Sequence, residues 1–551
     1  MIYVYISKEL KPFETDIRDL CLAFFTLKKI TYLFEDEISV KTFESKINSD
    51  DIVVKDYYDG SASGDRLKIK SEVKRQLYNY LSNLTGKKLL WGTLTGIRPV
   101  NIVTEIIENT GLSKIKYGKD RSTSGRAIND VMGLSPIVEI ENHIYKENET
   151  IKEYLKKEYY ISDEKAFELI KIARNEISIL DRQIVRDYKD SYSVYVGVPF
   201  CKSTCLYCSF TSFNIEKISK DVDRYLDTLK KDFSLRVERI VNQNELIADK
   251  VRESVKSSSI NKLTPLTLYI GGGTPTSLDE KHFEVLLSII DDYVDKSKCV
   301  EYTVEAGRPD TISKEKLLIM KKHGVTRISI NPQSFNQKTL DLIGRKHSVK
   351  DVVEKFRLAR TLGFDNINMD IILGLPNEHL FEVLKTLNGI RKLKPDSFTV
   401  HSLALKRAAR LNFELEAWTN NYYLAGVGKN RDGKSDKKLE SVAKLKFSSL
   451  QEGKREIDKM FKWCERLSEY LKLKPYYLYR QKNIAGNLEN VGYAKEGKEC
   501  IYNIMMMSER HSVYGFGTGT TKEVFYENGN KRIESEEGYK SVIDYCERVG
   551  V

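Results

Sequence analysis

Three of the eight cysteines lie within eight residues and form the pattern C-x3-C-x2-C at Cys201, Cys205 and Cys208. Three thiolates on one short loop can bind three irons of a [4Fe–4S] cluster and leave the fourth iron open, and thiolates are the soft ligands that such clusters require. Zinc is the main alternative, but a zinc site normally takes a fourth Cys or His nearby, and none follows within this loop. The spacing therefore predicts a [4Fe–4S] cluster, with zinc as the second interpretation.

Further residues with binding chemistry follow predicted strands. The run Gly271 to Pro275 comes directly after the apolar segment LTLYI, and glycines at a strand end let the backbone approach a ligand closely. Glu305 ends the next strand, where its carboxylate can accept from ribose hydroxyls, face a sulfonium or pair with Arg308. Asp370 lies inside an apolar strand, where burial without a partner is costly, so structural hydrogen bonding and ligand binding both stay open.

The elements that must position these residues alternate between strand and helix about six times from Tyr192 to Leu405. This alternation predicts an α/β fold built on a partial parallel (β/α)6 barrel, in which chemistry sits at the carboxyl ends of the strands. The predicted strands are Ser193–Val198, Leu266–Ile270, Cys299–Val304, Arg327–Asn331, Asn366–Leu373 and Ser397–Leu403. We expect three regions: an N-terminal accessory α+β region over 1–185, the barrel over 186–405, and a C-terminal α+β region over 406–551 that covers the substrate.

Composition narrows the setting. The chain has 551 residues, of which 41% are hydrophobic and 31% charged, values that are typical of a soluble globular protein. We find no apolar run that could span a membrane and no signal-peptide pattern, so we expect a cytoplasmic protein. The net charge of +11 is scattered along the chain, which favours a solvated surface over a nucleic-acid interface and also suits an anionic substrate.

The cysteine spacing, with Tyr207 just before the last cysteine, resembles the radical S-adenosylmethionine (SAM) superfamily. That resemblance implies that a low-potential electron from the cluster cleaves SAM to methionine and a 5′-deoxyadenosyl radical, which abstracts a hydrogen atom from the substrate. It also implies a flavodoxin- or ferredoxin-type electron donor as partner. The protein's own task is then to position SAM and substrate and to exclude side reactions.

The segments VYVGVPFC, YIGGGTPTSL, EAGRPDTI, INPQSF, IGRKH and DIILGLP together resemble the oxygen-independent coproporphyrinogen III oxidase group of HemN, HemW and HemZ. The resemblance implies that Tyr195 lies beside the cluster, close to the reaction and to SAM. The other SAM-contacting residues that it implies are Gly272, Gly273, Thr274, Glu305, Gln333, Arg345 and Asp370.

Three further features resemble the HemZ branch: LWGTLTGIRP, YYLYRQKNIAGNLENVGYA and the long region before the barrel. This implies oxidative decarboxylation of two propionates of the tetrapyrrole coproporphyrinogen III to vinyl groups, giving protoporphyrinogen IX. The HemN branch carries a fourth cysteine where this chain has Phe210, and HemW haem chaperones also have Phe there. A haem-binding chaperone is therefore the alternative function. Candidate cations for the propionates are Arg407, Arg410, Arg480 and Lys482.

Overall fold

A computed structural model describes residues 2–25, 30–35, 51–61, 64–96, 98–109, 136–182, 185, 191–208, 212–249, 262–403, 452–480, 489–527, 530–539 and 541–550. By its internal contacts the chain forms two compact units. Unit one comprises Met1–Ile177 and Leu478–Glu489, and unit two comprises Ser178–Tyr477 and Asn490–Val551. The three regions expected from the sequence stay a prediction. Within the described part of the chain, no helix is both long and apolar enough to cross a membrane.

Unit one contains a three-stranded parallel sheet in which β1 (Ile2–Ile6) lies between β2 (Ile30–Phe34) and β3 (Ile52–Val54). Alternate residues of β1 are buried, as expected for a strand with one face on the core. Its helices are α1 (Glu14–Phe24), α2 (Arg66–Thr85), α3 (Val100–Asn109), α4 (Pro136–Tyr159) and α5 (Asp163–Leu180), the last of which ends in unit two. Helices α1 and α2 pack with the sheet around one apolar core.

Unit two is built on the large sheet. Its central strands are β4 (Tyr192–Val198), β7 (Thr267–Gly272), β8 (Glu301–Glu305), β9 (Arg327–Ser329), β10 (Ile367–Leu373) and β11 (Ser397–Ser402). These six strands are parallel and neighbour one another in chain order. The predicted alternation around a parallel sheet is therefore confirmed. A short pair, β5 (Phe200–Cys201) and β6 (Phe213–Asn214), follows the first of the six.

Strands from the C-terminal part of the chain extend both edges of this sheet. They are β12 (Lys474–Arg480), β13 (Glu489–Ala494), β14 (Ser512–Gly517), β15 (Thr521–Glu527) and β16 (Asn530–Glu536). Strand β14 pairs in parallel with β4, and β13 pairs antiparallel with β11. The strand that leads into the cysteines is thus an interior strand, hydrogen-bonded on both sides.

The helices of unit two are α6 (Asp221–Asp249), α7 (Glu280–Tyr293), α8 (Lys314–Lys322), α9 (Gln337–Leu342), α10 (Val349–Thr361), α11 (Leu380–Leu393), α12 (Glu452–Tyr470), α13 (Ile501–Ser508) and α14 (Val542–Gly550). Capping groups fix several starts: Asp279 accepts from the His282 amide, and Ser348 with Asp351 forms a capping box. The polar composition of residues 243–261 favours a surface loop, but helix α6 continues through 243–249, and 250–261 lie outside the described residues.

The two faces of the six central strands differ in chemistry because side chains alternate along each strand. One face carries apolar, fully buried residues such as Val194, Leu268, Val304, Met369 and Val400. The opposite face is polar. Its residues include Ser193, Tyr195, Thr267, Tyr269, Thr303, Glu305, Asn368, Asp370 and Thr399. A polar inner face next to the strand ends is suited to binding a polar ligand rather than to filling a core.

Candidate functional site

The cysteine loop, residues 201–208, begins immediately after β4. Cys201 lies in β5, opposite Asn214 of β6, and the Cys208 amide donates to the Cys205 carbonyl oxygen at 3.1 Å, which closes a tight turn. None of the three forms a disulfide. Cys201 and Cys205 are buried and Cys208 is half-buried. The three thiols are therefore held on one compact loop at the carboxyl end of an interior strand.

The arrangement fits a cubane better than a single ion. In the described residues, no three His, Cys, Asp or Glu side chains converge tightly enough to hold one metal ion. Zinc needs its ligands around one point, whereas each thiolate of a cubane binds a different iron. Burial raises the pKa of the Cys201 thiol; the Thr274 hydrogen bond and Arg308 oppose this shift, and Cys205 and Cys208 add to it. Three soft sulfur donors on one loop suit an iron–sulfur cluster.

The glycine-rich turn after β7 packs directly on the cysteine strand. The Gly273 amide donates to the Val198 carbonyl oxygen at 2.7 Å, and the Thr274 amide donates to that of Phe200 at 2.7 Å. A Cβ atom at Gly273 would lie 2.4 Å from the Phe200 oxygen. Thr274 Oγ1 is 3.1 Å from the Cys201 sulfur. The missing side chain at Gly273 therefore lets this turn pack against the backbone that carries Cys201.

We expect Gly273→Ala to lose most of the bound iron and to lower the free energy of unfolding by about 1–3 kcal/mol, because the new methyl group must displace β5. Iron content and thermal unfolding of the purified variant measure both effects. Gly96→Ala is a matched control, since a Cβ atom there would meet no atom within 4 Å. Retention of full iron by Gly273→Ala would contradict the packing argument.

Tyr195 belongs to a stack of three tyrosines on the polar face. Its ring lies 6.1 Å from that of Tyr269 and 6.1 Å from that of Tyr502, and the latter two rings are 4.5 Å apart. Burial raises the pKa of Tyr195 well above its usual range, so this phenol stays protonated. Gly272, with φ of +105°, passes beside it: a Cβ atom there would lie 3.4 Å from the Tyr195 hydroxyl. Tyr195 is therefore next to the glycine-rich turn.

Glu305 ends β8 on the same face. The Tyr269 hydroxyl donates to Glu305 Oε1 at 2.7 Å. Burial raises the pKa of Glu305 to about 7; the hydrogen bond opposes this shift and the charge of Asp370 adds to it. The sequence left open an ion pair between Glu305 and Arg308, and the described residues show no such pair. Arg308 instead lies 3.5 Å from Asp310 and points toward the cysteine loop.

Asp370 is fully partnered. Its two carboxylate oxygens accept from Asn331 at 2.8 Å and from Asn368 at 2.7 Å, and His401 Nε2 lies 3.7 Å away. Burial alone would raise the pKa of Asp370, but the hydrogen bonds from His401, Asn368 and Thr399 hold it below its usual range. The carboxylate is therefore ionised on the polar face, and structural hydrogen bonding accounts for its burial without excluding a ligand.

Gln333 carries the clearest mark of a missing partner. Its backbone has φ of +61°, which is uncommon for a non-glycine residue, and two backbone hydrogen bonds tie it to β10. Its side-chain oxygen Oε1 is buried and accepts no hydrogen bond. Buried polar atoms are almost always satisfied, so this oxygen points to a bound ligand or water.

Arg345 connects the cysteine loop to the end of β8. Its Nη1 donates to the Gly307 carbonyl oxygen at 2.8 Å, and its Nε and Nη2 lie 3.3 and 3.2 Å from the Tyr207 hydroxyl. The side chain is 7% exposed, so a buried guanidinium stands beside the loop that carries the thiols. The structure thus brings Arg345 to the cysteine loop.

Of the four candidate cations for the propionates, Arg407, Arg410 and Lys482 lie outside the described residues, as does Phe210. Arg480 is described and belongs to unit one, where it donates to the Leu94 carbonyl oxygen and its guanidinium lies 4.8 Å from the Trp91 ring centre. Burial lowers the pKa of Arg480 to about 10, although Glu489 opposes that shift.

Sequence reasoning missed three residues of the site. Arg308 was considered only as an ion-pair partner of Glu305, yet it contacts the cysteine loop. Tyr269 was recognised only as part of an apolar strand, and nothing marked Tyr502 of α13. Strand alternation from Glu305 and the register with β7 could have placed Tyr269 on the polar face. No local sequence signal predicts Tyr502, because its position depends on a helix far along the chain.

A family model and several known proteins match this chain. The model of the radical SAM superfamily matches residues 195–389. HemZ of Bacillus subtilis, described as an oxygen-independent coproporphyrinogen-III oxidase-like protein, is 33% identical over 481 residues, which cover 87% of this chain and 79% of that protein. The haem chaperone HemW of Bacillus subtilis is 36% identical over 215 residues, or 39% of this chain, and the match spans 51% of HemW.

Among solved structures, HemN of Escherichia coli, a coproporphyrinogen III oxidase and radical SAM enzyme, matches with 17% identity and a TM-score of 0.44, covering 67% of this chain and 71% of that one. The radical SAM resemblance drawn from the motifs is confirmed by the HemZ match, and the cofactors of this family are a [4Fe–4S] cluster and SAM. The chain belongs to the radical SAM proteins of the HemN, HemW and HemZ group, as a HemZ-like member.

Proposed function

We propose that the protein catalyses the SAM- and [4Fe–4S]-dependent oxidative decarboxylation of coproporphyrinogen III to protoporphyrinogen IX. The observation that supports the chemistry is the contact of Thr274 with Cys201 and of Arg345 with Tyr207 on the cysteine loop. The unsatisfied Gln333 oxygen, on a residue hydrogen-bonded to β10 at Asp370, adds a candidate ligand-binding group on the polar face. The substrate comes from the name of the HemZ relative, which matches over most of both chains.

Cys201, Cys205 and Cys208 would hold the cluster, which supplies the one-electron reductive cleavage of SAM when bound. The polar face provides the remaining contacts. Gln333 Oε1 is free to accept from a cosubstrate amine or hydroxyl, and the ionised Asp370 adds a negative charge. Glu305, whose pKa lies near 7 without ligand, becomes an anion more readily beside a sulfonium, because a nearby positive charge favours the charged carboxylate.

The stacked tyrosines provide an aromatic surface that would exclude water from the reaction. Tyr195 and Tyr269 lie beside the glycine-rich turn, and Tyr502 stacks on Tyr269. Apolar walls exclude water from reactive species, and this exclusion is what the chain contributes once the cosubstrate is in place. A low-potential flavodoxin- or ferredoxin-type protein is the proposed electron donor. For each propionate, one hydrogen atom leaves with 5′-deoxyadenosine, and the substrate radical releases CO2 as it passes one electron to a separate one-electron acceptor.

The test is an anaerobic turnover assay of the reconstituted protein with SAM, a strong reductant and coproporphyrinogen III. We expect protoporphyrinogen IX to form, with one 5′-deoxyadenosine for each propionate lost. Deoxyadenosine that forms equally well without the porphyrinogen, and no decarboxylated product, would reject the substrate while leaving the radical SAM chemistry in place.

A haem-binding chaperone is the second candidate, favoured by Phe210 and by the match to HemW. It predicts stoichiometric haem binding and no decarboxylation. A haem titration of the same preparation, followed by its absorption spectrum, decides between the two: tight haem binding without porphyrinogen turnover supports the chaperone, and turnover without haem binding supports the enzyme.

A further inference from the structure

A group of buried polar side chains lies beside the cysteine loop, in the segments that follow β8 and α9. Its members are Arg308, Asp310 and His347, and Arg345 stands next to it. Arg308 is 2% exposed and His347 is fully buried. None of these residues except Arg345 has a role in the proposed SAM site, so the cluster calls for a separate explanation.

Arg308 reaches the cysteine loop directly. Its Nη1 donates to the Ser203 carbonyl oxygen at 2.7 Å and lies 3.7 Å from the Cys205 sulfur. Its Nη2 is buried and donates to no acceptor. A buried guanidinium nitrogen without an acceptor is costly, and thiolates or sulfide of a cluster beside Cys205 are acceptors that would satisfy it.

The charges around Arg308 do not cancel. Asp310 is the acidic member, with Oδ1 3.5 Å from Arg308 Nε and Oδ2 3.7 Å from Lys202 Nζ. Arg345 adds a further buried positive charge. His347 contributes none at neutral pH, since burial first and Arg345 second lower its pKa to about 4. The region therefore presents an excess of positive charge to the thiol-bearing loop.

We propose that Arg308 is a positioning residue that holds the cysteine loop through Ser203 and Cys205 and stabilises the reduced state of the cluster. The inference rests on the proposed cysteine ligands. Reduction adds one negative charge to an already anionic group, so a buried cation a few ångströms from a ligand sulfur favours the reduced form. This electrostatic effect of Arg308 on the reduction of the cluster requires no contact between Arg308 and SAM.

The test compares full-length, anaerobically reconstituted wild type with Arg308→Gln, Arg308→Lys and Lys202→Gln in redox titrations monitored by electron paramagnetic resonance. We expect Arg308→Gln to be roughly tenfold harder to reduce, a midpoint about 59 mV lower for a one-electron couple. Arg308→Lys should recover most of the shift because it keeps the charge. Lys202→Gln removes one charge from the same loop but from a side chain that is 41% exposed, so solvent screening should leave its midpoint near wild type.

A wild-type midpoint in Arg308→Gln with its full iron content overturns the proposal, as does an equal shift in Lys202→Gln. If Arg308→Gln takes up no cluster, pulsed electron paramagnetic resonance of the reduced wild-type protein labelled with ¹⁵N-arginine decides. We expect a hyperfine coupling between the reduced cluster and a guanidinium ¹⁵N that persists in Arg345→Lys, and its absence overturns the proposal. A wild type without iron would sink the cysteine assignment too, whereas an intact cluster without porphyrinogen turnover would sink only the proposed substrate.

Discussion

Replacing Cys208 with Ala is expected to reduce bound iron from about four atoms per chain to nearly none and to abolish 5′-deoxyadenosine formation. In the proposed site each of the three thiolates would bind its own iron. Two remaining cysteines then leave two irons without protein ligands. Iron and sulfide analysis, the visible absorption spectrum and deoxyadenosine quantification measure the loss.

Cys299→Ala is the matched control for this experiment. Cys299 is also half-buried, and its thiol donates to the Glu301 carbonyl oxygen at 3.0 Å. It precedes the amino end of β8, whereas the cysteine loop follows the carboxyl end of the parallel strand β4. We expect it to keep its iron. Full iron in Cys208→Ala, or equal loss in Cys299→Ala, would show that the cluster is held elsewhere.

Glu305→Gln is expected to stabilise the ligand-free protein at pH 8 by about 1–3 kcal/mol while weakening SAM binding. Burial raises the pKa of Glu305 to about 7, and each pKa unit corresponds to about 1.4 kcal/mol. Since the carboxylate is half-buried and partly reached by solvent, the lower part of the range is expected. The neutral glutamine avoids the cost of burying a charge but cannot oppose the positive charge of a sulfonium.

The pH dependence of this gain has a definite sign. Below about pH 4.3, Glu305 is protonated in both the folded and the unfolded chain and the substitution changes little. Between that value and pH 7 the folded chain holds a proton that the unfolded chain has lost, so wild-type stability falls as pH rises. Above pH 7 the full penalty is present, and the difference between variant and wild type is greatest.

Denaturant unfolding of wild type and Glu305→Gln at pH 4, 6 and 8 measures this difference, and SAM binding by calorimetry measures the second effect. Glu315→Gln, which changes an exposed carboxylate in the first turn of α8, is the control: it should leave SAM binding unchanged and cost about 0.3–1 kcal/mol at pH 8 through the helix dipole, opposite in sign to the Glu305→Gln effect. A stability difference that does not depend on pH would mean that Glu305 does not titrate in this range.

The sequence predicted the central sheet well, because six short apolar runs separated by amphipathic stretches leave few alternatives to parallel strands with crossover helices. Observed bounds differ from the predicted ones by a residue or two, as in Thr267–Gly272 for a strand predicted at Leu266–Ile270. Helix α6 extends to Asp249 through residues 242–249, a mostly polar stretch that lacks the regular apolar spacing by which a helix is recognised in a sequence.

The site was predicted less evenly. The tight spacing of the three cysteines identified them as ligand candidates. Other site residues could be predicted because the carboxyl ends of parallel strands lie at one edge of the sheet. Arg308, by contrast, is one of 90 basic residues, and only the fold shows that its guanidinium turns into the cysteine loop and not toward Glu305. Tyr502 reaches Tyr269 through a contact between segments far apart in the chain, which no local pattern encodes.

The pairing of β14 with β4 has a consequence for biosynthesis. Val194 lies opposite Tyr514, so the strand that leads into the cysteine loop lacks one hydrogen-bonding neighbour until a segment far later in the chain has been synthesised. An exposed strand edge is prone to unwanted association. We therefore expect the proposed cluster to be inserted only after β14 has paired, and a nascent product that stops short of β14 to require protection by chaperones.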